Sequence, residues 1–299
     1  MESTNNRYIS CSNLTDVTLN NGLISIGDLC FVSCESLTNL VLPNSVTHLG
    51  SNCFFFSGLN NITLSENLKS LSDECFFGCD LRSIVLPQSI TSIGKYCFAL
   101  SGLKNITLPP NIVSLNDGCF ALCSSLTDIV MPDNITSFGR FCFVGCSSLS
   151  ELILPEKLST IKDSCFYGCV DLKNIYCYSS EVPKINDEGS EMPFSQATLH
   201  VIPGKEDVYL NAEWWKNFYE IKGDAVVDGI NNGLKEKVKV SVRGRRLSVS
   251  GISAKDKITV ADANGIILYQ GVNSVVELSN IGVYIIKVKG ITHKIFVKL

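Results

Sequence analysis

The sequence predicts a mainly β protein: a solenoid of about seven units of 22–23 residues, a strand and a helix closing it, then a small β-sandwich. Three observations predict this. A Cys-Phe pair recurs, beginning at Cys30, Cys53, Cys75, Cys97, Cys119, Cys142 and Cys165, at intervals of 23, 22, 22, 22, 23 and 23. A fixed period in the twenties marks stacked repeats, because no single unit can bury its own apolar face. After Cys177 the period fails, and beyond residue 236 short β-rich runs alternate with turn signals.

The first unit is partial. Cys11, Leu14, Val17, Leu19, Leu23 and Ile26 fall where the next unit has Cys34, Leu37, Leu40, Leu42, Val46 and Leu49, with no Cys-Phe pair before them. The chain is therefore expected to begin inside a repeat, either because a longer N-terminus precedes it or because this fragment caps the end. Each full unit reads Cys-Phe-x-x-Cys/Ser-x-x-Leu-x-x-Leu/Ile-x-Leu-Pro and then carries two further apolar positions. The alternation in Leu-x-x-Ile-x-Leu predicts a half-buried strand. Pro43, Pro87, Pro109, Pro132 and Pro155 end it, since proline cannot donate to a ladder. Gly50, Gly94 and Gly139 are assigned the bend into the next turn, and the Phe and Leu/Ile positions are assigned to the core.

The 14 cysteines fall into the same register. Seven precede the repeat Phe; Cys11, Cys34, Cys79, Cys123, Cys146 and Cys169 share a second position, where Ser57 and Ser101 substitute; Cys177 stands apart. A position that takes thiol or hydroxyl predicts a small packed side chain, and buried Cys behaves as a small hydrophobe. Stacked equivalents lie roughly 4.8 Å apart with parallel Cα–Cβ vectors, whereas a disulfide needs Cβ atoms about 3.8 Å apart and converging. Ladders of thiols are expected, with no metal: zinc needs four converging ligands, and His48, His200 and His293 are scattered.

Residues 197–203 read as a last strand, and residues 205–218 as a helix carrying Val208, Tyr209, Ala212, Trp215 and Phe218 at helical spacing. A solenoid end needs such closure. Trp214 and Trp215 are expected to plug this cap rather than to form a sugar platform. Residues 225–236 read as a linker. Seven strands are then predicted, at 237–242, 247–250, 257–261, 266–270, 275–278, 283–288 and 294–299, with Asn264-Gly265 as a hairpin turn. They predict a small Ig-like β-sandwich. The domain boundaries are thus 1–178 for the solenoid, 179–224 for the cap, 225–236 for the linker and 237–299 for the sandwich.

The repeat pattern resembles the BspA-like class of leucine-rich repeat, whose units read approximately Leu-x-x-Ile-x-Leu-Pro-x-x-Val-x-x-Ile-Gly-x-x-Ala-Phe-x-x-Cys. Residues 81–97, 126–142 and 149–169 follow it closely, and the resemblance covers 11 to about 178. Cys stands where that class most often has Ala before Phe, a swap between small buried residues. Residues 197–218 resemble the closing segment of bacterial members. Residues 282–298, with Gly282-Val-Tyr and then a basic strand, resemble C-terminal sorting domains of type IX secretion. The resemblance implies a leucine-rich repeat fold, a cell-surface or extracellular location, and a role in adhesion to a host or neighbouring cell.

Charge divides the chain. Residues 1–178 hold 9 Lys/Arg and 15 Asp/Glu, residues 179–236 hold 5 and 11, and residues 237–299 hold 11 and 3. The basic tail reads as a solvated face, and without a recognition motif or aromatic interleaving no nucleic-acid partner is expected. No run of apolar residues is long enough for a membrane span, and the polar N-terminus does not read as a signal peptide.

No nucleophile–base pair, facing carboxylates, phosphate loop or metal cluster has convincing spacing, so neither catalysis nor a cofactor is expected. What remains is a surface. The residues flanking the strand Ile face outward because side chains alternate. One column runs Asp16, Asn39, Asn61, Ser83, Asn105, Asp128, Glu151, Asn174; the other runs Thr18, Val41, Thr63, Val85, Thr107, Val130, Ile153, Tyr176. The second grows more apolar towards its end. Asp128, Val130, Glu151, Ile153, Asn174 and Tyr176 are the candidate contact residues of a monomeric binding protein whose partner is a protein or glycan. The rival readings are a structural spacer and a polysaccharide-binding accessory protein using Trp214 and Trp215.

Overall fold

The computed structural model describes residues 3–4, 11–179, 181–186 and 193–225, and seven strands between residues 239 and 297. The chain divides into Met1–Ala225 and Val226–Leu299.

In the first unit each repeat makes one turn of a three-sided coil. The first side is the predicted strand, reduced to its centre: Asn39–Val41, Asn61–Thr63, Asn105–Thr107 and Asp128–Val130, lengthening to Glu151–Leu154 and Asn174–Cys177. The central Leu or Ile is buried and its neighbours face out. All ladders are parallel and in register, with Glu151 opposite Asn174 and Ile153 opposite Tyr176. Cys177 turns out to occupy the last Leu position of this strand, opposite Leu154.

One rung fails. Residues 83–85 form no regular strand. In three units only one residue separates the second Cys/Ser from Leu, which accounts for the 22-residue intervals. Two use Gly58 and Gly102, and a Cβ at Gly58 would run into the Glu35 carbonyl of the preceding unit. Asp80 stands in the third loop, just ahead of the rung that forms no strand.

The second side is a set of two- and three-residue strands that alternation did not reveal, among them Ser114–Leu115, Ser137–Phe138, Thr160–Lys162 and Lys184–Asn186. A period-2 pattern cannot show in two residues. The glycines assigned to the bend act differently. Gly50, Gly94 and Gly139 do not need a left-handed backbone; they let adjacent turns touch. A Cβ on Gly94 would sit 2.5 Å from the Ser72 carbonyl carbon and 2.6 Å from Asp73 Oδ1. Asp73 Oδ1 accepts the Lys95 N–H at 2.7 Å, and Asp117 accepts that of Arg140 at 3.0 Å. Because backbone blocks the space, Gly94→Ala is expected to cost about 3 kcal/mol and to lower the thermal midpoint by roughly 6–12 °C. Gly22→Ala, with nothing within 4 Å, should stay within about 2 °C of wild type by calorimetry.

The third side carries Cys-Phe. The residue before Cys and the residue two after Phe are both left-handed, as at Tyr96 (φ 52°) and Leu100 (φ 57°). This turns alternate N–H groups along the stack: Tyr96, Phe98 and Leu100 donate to Asp117, Cys119 and Ala121 of the next unit at 2.8–3.0 Å. Inside, Phe31, Phe54, Phe76, Phe98, Phe120, Phe143 and Phe166 form one column, with centroids 5.4–5.8 Å apart and planes within 5–9°.

The second cysteine column does more than pack. Cys79, Cys123, Cys146 and Cys169 each point Sγ at a Phe carbonyl one unit earlier, at 3.0–3.1 Å. Ser57 and Ser101 lie 3.4 and 3.3 Å from the thiols of Cys79 and Cys123. The position requires a small donor, which explains why only thiol and hydroxyl alternate there.

Beyond residue 193 the strands Thr198–Val201 and Glu220–Lys222 extend the first side. The expected helix over 205–218 is corrected. It breaks into Glu206–Leu210 and a 3₁₀ turn at Trp215–Asn217, because Trp214 (φ 72°) reverses the chain. That turn buries Trp215 among Phe194, Phe218 and Tyr209, and its indole N–H donates to the Pro183 carbonyl at 2.7 Å. Among the described residues no helix is long and apolar enough to cross a membrane.

The second unit contains two antiparallel sheets. Lys239–Arg243, Arg246–Ser250 and Val275–Glu277 form one; Ile267–Gly271, Ile258–Asp262, Gly282–Val288 and Ile291–Val297 form the other. The seven predicted strands coincide with these to within a few residues. The Asn264-Gly265 turn lies outside the described residues, between two strands that do pair antiparallel.

Candidate functional site

The candidate site is the outer face of the first side near its C-terminal end. Glu151, Ile153, Asn174 and Tyr176 come together in one four-stranded ladder, while Asp128 and Val130 belong to a separate pair with Asn105 and Thr107. Ile153 is 50 % exposed; Asn174, Tyr176 and Val130 are half-buried, and Asp128 and Glu151 are exposed. Exposure of the apolar column is not confined to this end, since Val41 and Val85 are 66 % and 52 % exposed. What sets the end apart is the polar cluster next to Ile153.

That cluster contains residues the sequence reading passed over. Thr198–Val201 continues both columns by one rung, so Thr198 lies opposite Asn174 and His200 opposite Tyr176. The rings of Tyr176 and His200 stack at 4.4 Å with 15° between planes. His200 Nδ1 lies 2.7 Å from Asp224 Oδ1, and its Nε2 lies 3.2 Å from Asn174 Oδ1. Glu220–Lys222 adds a further rung, in which the Lys222 ammonium meets the Glu220 carboxylate at 2.9 Å. Burial, then the negative charges of Glu151 and Asp224, push the Tyr176 hydroxyl above its ordinary pKa. His200 was findable: Thr198-Leu-His200 repeats the spacing of Asn174-Ile-Tyr176. Asp224 was not, because it follows the last strand at no repeating offset.

The arrangement can hold and orient a partner's polar groups. Among the described residues no three His, Cys, Asp or Glu side chains are grouped to hold a metal. Trp215 is buried and its N–H is engaged, so it offers no platform to a sugar; Trp214 borders a groove with Lys184, Asn186 and Glu213.

A right-sized repeat, parallel ladders and a stacked aromatic core define a leucine-rich repeat solenoid. The chain belongs to the BspA-type leucine-rich repeat family, whose profile matches residues 4–101 and 69–189 in six copies. Among solved structures, it is similar to a leucine-rich repeat protein from Bacteroides ovatus, at 23 % identity and a TM-score of 0.50, over 67 % of this chain and 64 % of that one. It thus spans somewhat under two thirds of that protein. A leucine-rich cell surface protein from Faecalibacterium prausnitzii matches at 21 % identity and 0.34, over 75 % and 69 % of the two chains. The pneumococcal vaccine antigen PcpA matches at 17 % and 0.32, over 68 % and 72 %. Comparison with curated proteins returns no match.

Proposed function

We propose that this protein is a non-catalytic binding protein of the cell surface or extracellular space, and that Asp128, Val130, Glu151, Ile153, Asn174 and Tyr176 contact a partner protein. The observation that carries this reading is Ile153, half exposed on a regular sheet face between Glu151 and Tyr176. Solenoids of this kind typically bind through such extended faces. A protein partner is taken ahead of a glycan because the Tyr176 and His200 rings each give one face to the other, which narrows the aromatic surface open to a sugar. In the same reading, residues 179–224 cap the solenoid and residues 237–299 form an Ig-like sorting or attachment module, supported by the basic Gly282–Val288 and Ile291–Val297 hairpin.

The test is binding of the labelled full chain to intact bacterial and epithelial cells. The variant carrying Val130→Asp, Ile153→Asp and Tyr176→Asp is expected to lose at least about tenfold in affinity, roughly 1.4 kcal/mol. Its thermal midpoint should move by only a few degrees, since the three positions face outward. Undiminished cell binding by this variant would overturn the assignment.

A further inference from the structure

Resting on that reading, we infer that the sheet face takes an extended cationic polypeptide segment, with an arginine side chain seated between Glu151 and Asp224 beside the Tyr176 hydroxyl. The first ground is charge. From the rung of Asn39 to the rung of His200, neither outward column contains a Lys or Arg. Two carboxylates of the second side are paired: Lys95 meets Asp117 at 3.3 Å, and Arg140 meets Asp163 at 3.0 Å. On the sheet face, by contrast, Asp128 and Glu151 meet no cationic side chain among the described residues. Two nearby cations have partners of their own: Lys222, opposite His200, is held by Glu220 and also feels Asp224, and Lys173, at a strand entry, reaches the Gln196 side-chain oxygen at 3.3 Å.

The second ground is the shape of the cluster. Asp224 is fixed by His200, which is itself fixed by Asn174 and by stacking on Tyr176. The carboxylate is thereby preorganised rather than free to swing. Glu151 stands on the strand that pairs with that of Tyr176, and Asp224 is held by the His200 ring stacked on Tyr176, so the two carboxylates belong to neighbouring rungs of one face. A planar guanidinium matches this better than an ammonium, because its fork donates to a carboxylate and to a neighbouring oxygen together. Ile153 and Val130, one strand position along, supply apolar contact for the alternate residue of an extended segment.

The probe is a fluorescent peptide alternating arginine and valine, with citrulline and glutamate counterparts, titrated against the full chain by anisotropy. The arginine peptide is expected to bind, more weakly as salt rises, and the citrulline peptide to bind roughly tenfold less tightly. Glu151→Gln, at an exposed position that leaves the fold intact, should weaken the arginine peptide about fivefold. Equal binding of the arginine and citrulline peptides, no binding, or indifference to Glu151→Gln each overturns the inference. So does sedimentation showing that Glu151→Gln alters only self-association, because the occupant is then a second copy. If these fail while the triple Asp variant still loses cell binding, the surface reading stands and the cationic partner falls; if both fail, the surface itself is wrong.

Discussion

Raising the pH from about 8 to about 10 is expected to unfold the solenoid cooperatively, through its thiols. Ten buried thiols, Cys53, Cys75, Cys79, Cys97, Cys119, Cys123, Cys142, Cys146, Cys169 and Cys177, are pushed above the ordinary value of 9.0, burial being the largest cause in each. Cys123 rises to about 11, and Cys79 and Cys169 to about 12. In the unfolded chain each loses its proton through 9.0, whereas in the fold it keeps it. Above that pH the folded state binds more protons, so stability falls as pH rises. Each such thiol then removes roughly 1 kcal/mol by pH 10, and the set together removes on the order of 10 kcal/mol. A domain's whole stability is roughly 5–15 kcal/mol. The midpoint should therefore fall between about pH 9 and 10 under anaerobic, reducing conditions. Fluorescence of the buried Trp215 and thiolate absorbance should change together. Thiolate appearing gradually while fluorescence holds would contradict the argument. Cys79→Ser with Cys123→Ser, at positions where Ser57 and Ser101 already serve, should raise the midpoint.

The same thiols show how far the sequence could be read. Register alone placed Cys and Phe in the core, since a 22–23-residue period leaves one way to stack equivalent positions. It could not show that Cys79 and Cys123 reach carbonyls of the preceding unit, at Phe54 and Phe98, with the Ser57 and Ser101 hydroxyls beside their thiols. The same limit hid the use of Gly94, which is set by the backbone of Ser72 and Asp73 rather than by its own dihedral angles. The helix over 205–218 failed for a related reason: spacing described its apolar face, while the reversal at Trp214 follows from the place Trp215 must reach against Pro183.

The candidate site divides along the same line. Glu151, Ile153, Asn174 and Tyr176 were legible because strand alternation fixes which residues face out. Their grouping with His200 required carrying the columns one rung past the point where Cys-Phe stops recurring. Asp224 belongs to the site only through three-dimensional proximity to His200. In the proposed reading the columns supply the contact surface, and the side chains that would orient a partner come from the irregular end, where repetition no longer constrains the choice of residue.

Phe98→Ala is expected to cost about 4 kcal/mol, in the upper range for truncating one buried side chain. Phe98 is fully buried and lies between Phe76 at 5.6 Å and Phe120 at 5.7 Å, stacked nearly parallel to both. Removing the ring leaves a cavity that the flanking rings cannot fill, since each is held by its own unit's backbone ladder. Repeat stability is a sum of unit and nearest-neighbour terms, so the break falls on two interfaces at once. Phe98→Leu keeps most of the volume and should cost about 1.5 kcal/mol. Tyr167→Ala, one residue past Phe166 and 53 % exposed, should stay within about 0.5 kcal/mol. Denaturant melts of the three variants separate the two accounts of the column. If Phe98→Ala cost no more than Tyr167→Ala, the stack would be a consequence of the coil and not one of its supports. The predicted order, Phe98→Ala far above Phe98→Leu and Phe98→Leu above Tyr167→Ala, requires the rings themselves to hold neighbouring turns together.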